Sequence, residues 1–203
     1  MFDVSDNSGY SREDWQKHYD NDDLRWDIGQ VSPPFVWLWE EGILHQGSML
    51  IPGCGAGHEA TFFAKKGYDV TGVDFADGAV KRLTRSLRMA DLEAKVLCMD
   101  FFHLPEKYDN SFDWILEQTF FCAIHPGKRK KYAEITRRVL RTGGRLAALF
   151  YETGEEGGPP FNTHPEEVRK IFFPGFEIER LEKTPYSIER RKNKEWLGIL
   201  VKK

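Results

Sequence analysis

Cysteine is scarce: three residues in 203, at positions 54, 98 and 122, with no C-x-x-C pair. So sparse and odd a set describes neither a zinc site nor a disulfide framework, and it fits a reducing, cytoplasmic setting. Neither sign of charge is in excess, since 29 Lys and Arg against 32 Asp and Glu leave a formal net charge of −3. That balance gives no basic face for nucleic acid or an anionic membrane, so neither partner is expected. The uncharged runs fall short of the ~20 residues a membrane span needs. The opening M-F-D-V-S-D-N-S-G is acidic and polar, unlike a secretory signal or a basic transit peptide. Internal repeats and low-complexity linkers are missing as well. The chain is long enough to bury one substantial core, and a single domain over 1–203 is expected.

What is present is aromatic side chain, six Trp, seven Tyr and fifteen Phe, with Trp15, Trp26, Trp37 and Trp39 crowded into one early segment. The organising stretch lies just beyond them, from Ser48 to Asp74. A short apolar run (Met49, Leu50, Ile51) ends in a turn with glycines at 53, 55 and 57. A helical pattern follows, and a second apolar run closes on Asp74. Glycines at a strand-to-helix turn let the backbone approach a ligand, and the following helix offers it unpaired N–H groups. An acidic residue ending the next parallel strand can accept hydrogen bonds from a ribose diol. This is a nucleotide-type site. The spacing G-x-G-x-G departs from the dinucleotide fingerprint, because His58 stands where G-x-G-x-x-G needs glycine. No G-K-[ST] follows, which excludes a P-loop.

Taken in order, residues 1–9 read as a loose tail, and Ser11 with Asp14 three residues on forms a candidate capping box. Trp15 and Tyr19 then share a helix face. Asn21-Asp22-Asp23 breaks that helix. Ser32, Pro33 and Pro34 open another that runs to about Glu41 and stops at Gly42. Strands are expected at Met49–Pro52, Asp69–Asp74, Lys95–Met99, 111–117 and 145–151. Helices are expected at 58–66, 76–89 and 128–140, with R-T-G-G after the last read as a turn and Lys128–Lys131 as a solvated face. A short helix at 165–173 precedes runs at 177–183 and 196–201, which would pair as an antiparallel edge. The order β-α-β-α-β-β-α-β argues an α/β fold: a Rossmann-like, open, mostly parallel sheet with helices on both faces.

Five pieces in order carry a resemblance: W-D-I-G-Q-V-S-P-P-F (26–35), I-P-G-C-G-A-G-H-E (51–59), T-F-F-C-A-I (119–124), G-G-P-P-F (157–161) and R-K-N-K-E (191–195). Together they resemble the class I S-adenosylmethionine-dependent methyltransferases. Within these the chain looks like the thiopurine S-methyltransferase-like group that includes the halide, thiocyanate and thiol methyltransferases. The resemblance implies that Gly53 and Gly55 back the methionine part of S-adenosylmethionine. It implies that Asp74, with Phe75 beside it, binds the ribose and that Asp100 and Phe101 bracket adenine. Gln118 falls near the methionine end, where relatives carry Tyr. Trp15, Tyr19 (in place of a usual Trp) and Trp26 fall in an N-terminal aromatic lid, residues 10–42.

Methyl transfer from a sulfonium is an in-line displacement that needs alignment and a dry pocket more than an acid or a metal. Aromatic faces attract such a cation and exclude water. A thiolate, thiocyanate or halide is already nucleophilic, so no catalytic base and no metal ligand is assigned. The expected activity is methylation of a small thiol or anionic acceptor by a monomer. Methylation at oxygen, nitrogen or a metalloid stays open, as does a non-catalytic S-adenosylmethionine-binding protein. Arg190, Arg191 and Lys192 are placed to reach an anionic substrate.

Overall fold

The computed structural model describes residues 11–203, so the expected tail over 1–9 lies outside the described residues. The first helix, α1, spans Arg12–Asp20. Its capping box is present: the Ser11 hydroxyl accepts the Asp14 N–H at 3.1 Å, and the Asp14 carboxylate accepts the Ser11 N–H at 3.4 Å. The helix α2 spans Pro33–Glu40 and stops where Gly42 turns to φ +69°. Ser32 occupies the cap position, yet its hydroxyl caps nothing. Two prolines leave little N–H to cap there, and the Ser32 N–H itself donates to Glu59 at 3.0 Å.

The remaining elements follow the expected order. They are β1 Ser48–Pro52, α3 His58–Lys65, β2 Asp69–Asp74, α4 Asp77–Met89, β3 Lys95–Cys98 and β4 Phe112–Gln118. Then come α5 Arg129–Val139, β5 Leu140–Tyr151, α6 Pro165–Phe172, β6 Phe176–Lys183 and β7 Glu195–Lys202. The strands form one sheet in the order β3-β2-β1-β4-β5-β7-β6. Pairing from β3 to β5 is parallel, while β7 runs antiparallel to both β5 and β6. The antiparallel strand therefore lies one in from the edge, and β6 is the edge itself.

Strand alternation sends neighbours to opposite faces. Met49, Ile51, Trp114, Leu116 and Leu149 enter a core under α2, α3 and α4. Leu50, Ile115, Leu146 and Phe150 enter a second core with Tyr132 of α5 and Phe172 of α6. With both faces covered, the central strands read as unbroken apolar runs.

Two expectations are corrected. R-T-G-G is not a free turn but a bulge within β5: Phe112 pairs with Leu140 and the next partner of β4, Trp114, pairs with Arg145. Gly143, at φ +74°, lets the extra residues loop out without breaking the strand. Nor is Lys128–Lys131 solvated throughout. Arg129 is 1% exposed, because it shares its helix face with Tyr132, Ala133 and Thr136, all buried.

Candidate active site

Parallel strands on either side of β1 connect in opposite directions, which opens a crevice at the C-terminal ends of β1 and β4, the usual ligand position in open α/β sheets. β1 ends here because Gly53, Gly55 and Gly57 adopt φ of +57°, +54° and +83°. The turn folds over the end of β2. The Cys54 N–H donates to the Val73 carbonyl at 3.2 Å, and the Gly55 N–H donates to Asp74 Oδ2 at 3.1 Å. Asp74 Oδ1 accepts the Ala76 N–H at 2.9 Å. The carboxylate is thereby oriented, with lone pairs left for a ligand's hydroxyls. It is buried, which pushes its carboxyl up to about 6. Against the other side of the turn lies Phe120, so close that a Cβ on Gly53 would run into its ring.

A cavity of about 400 Å³ opens above these groups, within the ~300–1,000 Å³ common for small-molecule sites. Of the residues proposed from sequence, Trp15, Tyr19, Trp26, Gly53, Asp74, Phe75, Asp100 and Phe101 line it. Gly55 and Gln118 instead line an adjoining recess of about 40 Å³, which shares Trp26, Gly53 and Thr119 with the main cavity. The Gln118 Nε2 is buried with no partner among the described residues. Asp100 follows β3; its Oδ1 accepts the Phe102 N–H at 2.9 Å, and its other oxygen lies 3.2 Å from His103 Nδ1.

α1 reaches the cavity by lying on α4. Tyr19 rests against Gly78, where a Cβ would collide with it, and Gln16 Oε1 accepts the Gly78 N–H at 2.9 Å. Arg12–Asp77 at 2.9 Å and Arg82–Asp22 at 2.7 Å flank the contact. Trp15 and Tyr19 meet Trp26 edge to face, with ring centroids 5.2 and 5.8 Å apart. Residues 26–29 follow as a strap, with Trp26 lining the cavity and Asp27 and Ile28 the adjoining recess. Asp27 pairs with His58 at 2.8 Å and takes the Gly29 N–H at 2.7 Å. Each partner shifts toward its charged form, His58 upward and Asp27 downward, chiefly through their shared hydrogen bond. Arg190 donates to the Asp27 carbonyl at 2.8 Å and Arg191 to the Trp26 carbonyl at 2.6 Å. These arginines line the cavity as expected, and they also tie the strap down.

Sequence reasoning missed His18, Met99, Pro159 and Pro160, which all line the cavity. His18 carried a signal, since it lies three residues from Trp15 on the same helix face. Arg25 and Lys128 join Arg190 and Arg191 in the lining, where Arg25 pairs with Asp23 at 3.0 Å and the buried Arg191 with Glu195 at 3.3 Å. Cys122 lines the wall, but burial pushes its thiol up to about 12, and burial raises Cys54 as well. Neither offers a thiolate near neutral pH. No cluster of His, Cys, Asp and Glu able to hold a metal ion occurs among the described residues. Nor is any described helix long and apolar enough to cross a membrane.

The family model described as thiopurine S-methyltransferase (TPMT) matches residues 10–200. The chain belongs to the thiopurine S-methyltransferase family. The chain is similar to a probable thiol methyltransferase 2 of Arabidopsis thaliana, 35% identical over 191 residues, or 91% of this chain and 82% of the relative. A thiocyanate methyltransferase 1 of Brassica oleracea is 32% identical over 189 residues, with the same coverage. Among solved structures, the Burkholderia thailandensis 1,6-didemethyltoxoflavin-N1-methyltransferase, determined with S-adenosylhomocysteine, superposes with a TM-score of 0.79. It covers 100% of this chain and 91% of its own, at 16% identity, a likeness of fold. This member of the thiopurine S-methyltransferase family is an S-adenosylmethionine-dependent methyltransferase.

Proposed function

We propose that the chain transfers the methyl group of S-adenosylmethionine to a small thiol, thiocyanate or halide. The observation that carries this reading is a cavity walled by Trp15, Trp26, Phe101 and Phe120 and lined also by Arg25, Lys128, Arg190 and Arg191. Apolar walls accommodate a soft, polarisable nucleophile, and the cations favour one that arrives as an anion.

The residues present fit the cofactor. Asp74, already oriented by two N–H groups, would take the ribose hydroxyls, with Phe75 alongside. Asp100 and Phe101 would bracket adenine. The recess of Gly55 and Gln118 would take the amino-acid end, and the orphaned Gln118 amide is suited to donate to a carboxylate there. When bound, S-adenosylmethionine supplies an activated methyl group on a sulfonium. The chain's task is then to align and to dry. Trp15, Tyr19 and Trp26, within a lid over residues 10–42, would face the sulfonium charge and keep water out. An acceptor that is already an anion needs no proton moved, so no side chain is given the role of base.

On this reading the chain acts as a monomer on a free small molecule. Its three free cysteines suit the cytoplasm. The test is turnover of S-adenosylmethionine with iodide, thiocyanate, bisulfide, an aromatic thiol and a thiopurine, reading S-adenosylhomocysteine. Product with the small anions or thiols is expected. Turnover confined to oxygen, nitrogen or metalloid acceptors would overturn the reading.

A further inference from the structure

The cavity wall that faces the glycine turn is suspended from one carboxylate. Glu117, next to last in β4, is fully buried. Its Oε1 accepts the Phe120 N–H at 2.7 Å and the Phe121 N–H at 2.8 Å. These bonds close a turn whose first residue, Thr119, has φ +63°, a conformation costly for a β-branched residue and held only by its surroundings. Thr119, Phe120, Cys122, Ala123 and Ile124 then line the cavity, with Phe120 against Gly53. A second loop rides on the same turn, because the Phe161 N–H donates to the Cys122 carbonyl at 2.7 Å. Arg129 anchors that loop through the Asn162 carbonyl at 3.1 Å.

The second oxygen makes the arrangement unusual. Glu117 Oε2 is buried without a hydrogen-bond partner among the described residues, as is Arg129 Nε behind the wall. Merely accepting two N–H groups could be done by a neutral amide at a smaller desolvation cost. A carboxylate here is an expensive choice, and its charge is the part left to explain. Arg129 and Tyr132 face it from α5, Cys122 from the wall and Glu195 from β7. Burial is the largest influence and pushes the carboxyl up to about 7, with Glu195 adding to the rise and Arg129 opposing it.

We propose that Glu117 is a positioning residue for the methyl acceptor: by gripping the Phe120 and Phe121 N–H groups, it fixes the Phe120 ring against the glycine turn. An ionised carboxylate grips N–H groups more strongly than the neutral acid. The ring is held more firmly as Glu117 loses its proton and less firmly as it regains it. This goes beyond the acceptor class argued above, since any acceptor seated against Phe120 feels the same wall.

Two measurements test it. In the first, the amide proton shifts of Phe120 and Phe121 are followed by NMR from pH 5.5 to 8.5 in the full chain with S-adenosylhomocysteine bound. A shared titration centred near 7 is expected in the wild type, with none in Glu117→Gln. In the second, KM for thiocyanate, an anion throughout this range, is measured beside the dissociation constant of S-adenosylhomocysteine. Wild-type KM should fall severalfold as pH rises through 7, whereas in Glu117→Gln it should be flat and about tenfold higher, the usual scale of one lost charged hydrogen bond. Cofactor affinity should stay within about twofold in both proteins at each pH, because Glu117 lines neither the cavity nor the recess. The NMR titration needs no turnover, so a failure of thiocyanate as substrate would count against the acceptor class alone. Amide shifts that do not titrate in the wild type would overturn the role of Glu117. So would a Glu117→Gln protein that keeps the wild-type KM and its pH slope, or one that loses cofactor affinity in step with KM.

Discussion

At the scale of single residues, the role proposed for Asp74 sets ligand binding against stability. Replacing it by Ala should weaken S-adenosylhomocysteine binding by about 1–3 kcal/mol, the cost of orphaning partners in a buried site. Titration calorimetry checks this, and unchanged affinity would remove Asp74 from the site. The free protein should show the opposite preference. Burial raises the folded-state pKa of Asp74 from 3.8 to about 6. Its contribution is therefore fully present below pH 4 and is lost as pH climbs through 6. The melting-temperature difference, wild type minus Asp74→Asn, should accordingly fall between pH 4 and 7, by an amount on the order of 2–3 kcal/mol in stability. A difference that is flat with pH would mean that the carboxylate is better solvated than its surroundings imply. Asp74 was legible in the sequence because strand, glycine turn and strand-ending acid lie within one local stretch. Glu117 was not. Its partners are local too, but what marks it is full burial beside Arg129, and a run reading K-R-K-K hid that arginine. The signal existed: Arg129, Tyr132, Ala133 and Thr136 share a helical face.

At the scale of elements, the contact of α1 with α4 decides how the aromatic side chains stand over the cavity. Gly78→Ala adds a methyl that meets Tyr19 at its Cβ, an atom that no rotamer change can move aside. The variant should displace α1, shift the Trp15 and Trp26 fluorescence and reduce cofactor affinity about tenfold. It should leave the melting temperature of the sheet nearly unchanged, since α1 contributes little to either main core. A crystal structure or a tryptophan spectrum identical to wild type would contradict this. The capping box, both prolines of α2 and the full span of β2 were readable from local chemistry. The bulge in β5 was not, because glycines that look like a turn also allow a strand to loop out and resume. Which strand lies at the edge was equally hidden, since pairing order is fixed by packing across the whole sheet.

At the scale of the whole molecule, the strap beside the cavity is held by contacts between segments far apart in the chain. Arg190 and Arg191 make comparable bonds to the strap, but their settings differ. Arg191 is buried and also pairs with the buried Glu195 at 3.3 Å, so Arg191→Ala strands a carboxylate and should destabilise the fold by about 3–5 kcal/mol. Arg190→Ala loosens only the strap. It should speed proteolysis between residues 21 and 31 while shifting the melting temperature by about 2 °C or less. Limited proteolysis and thermal scans separate the two, and equal behaviour would show that the strap is held elsewhere. The same bonds have a bearing on how the protein is made. Arg191 reaches back 165 positions to Trp26 and Arg190 reaches back 163 to Asp27. Synthesis runs from the N-terminus, at about 5–20 residues per second. The strap thus emerges 163 to 165 positions ahead of the turn that fastens it. A growing chain can assemble its central strands early, but it cannot fasten this strap until Arg190 and Arg191 have been made.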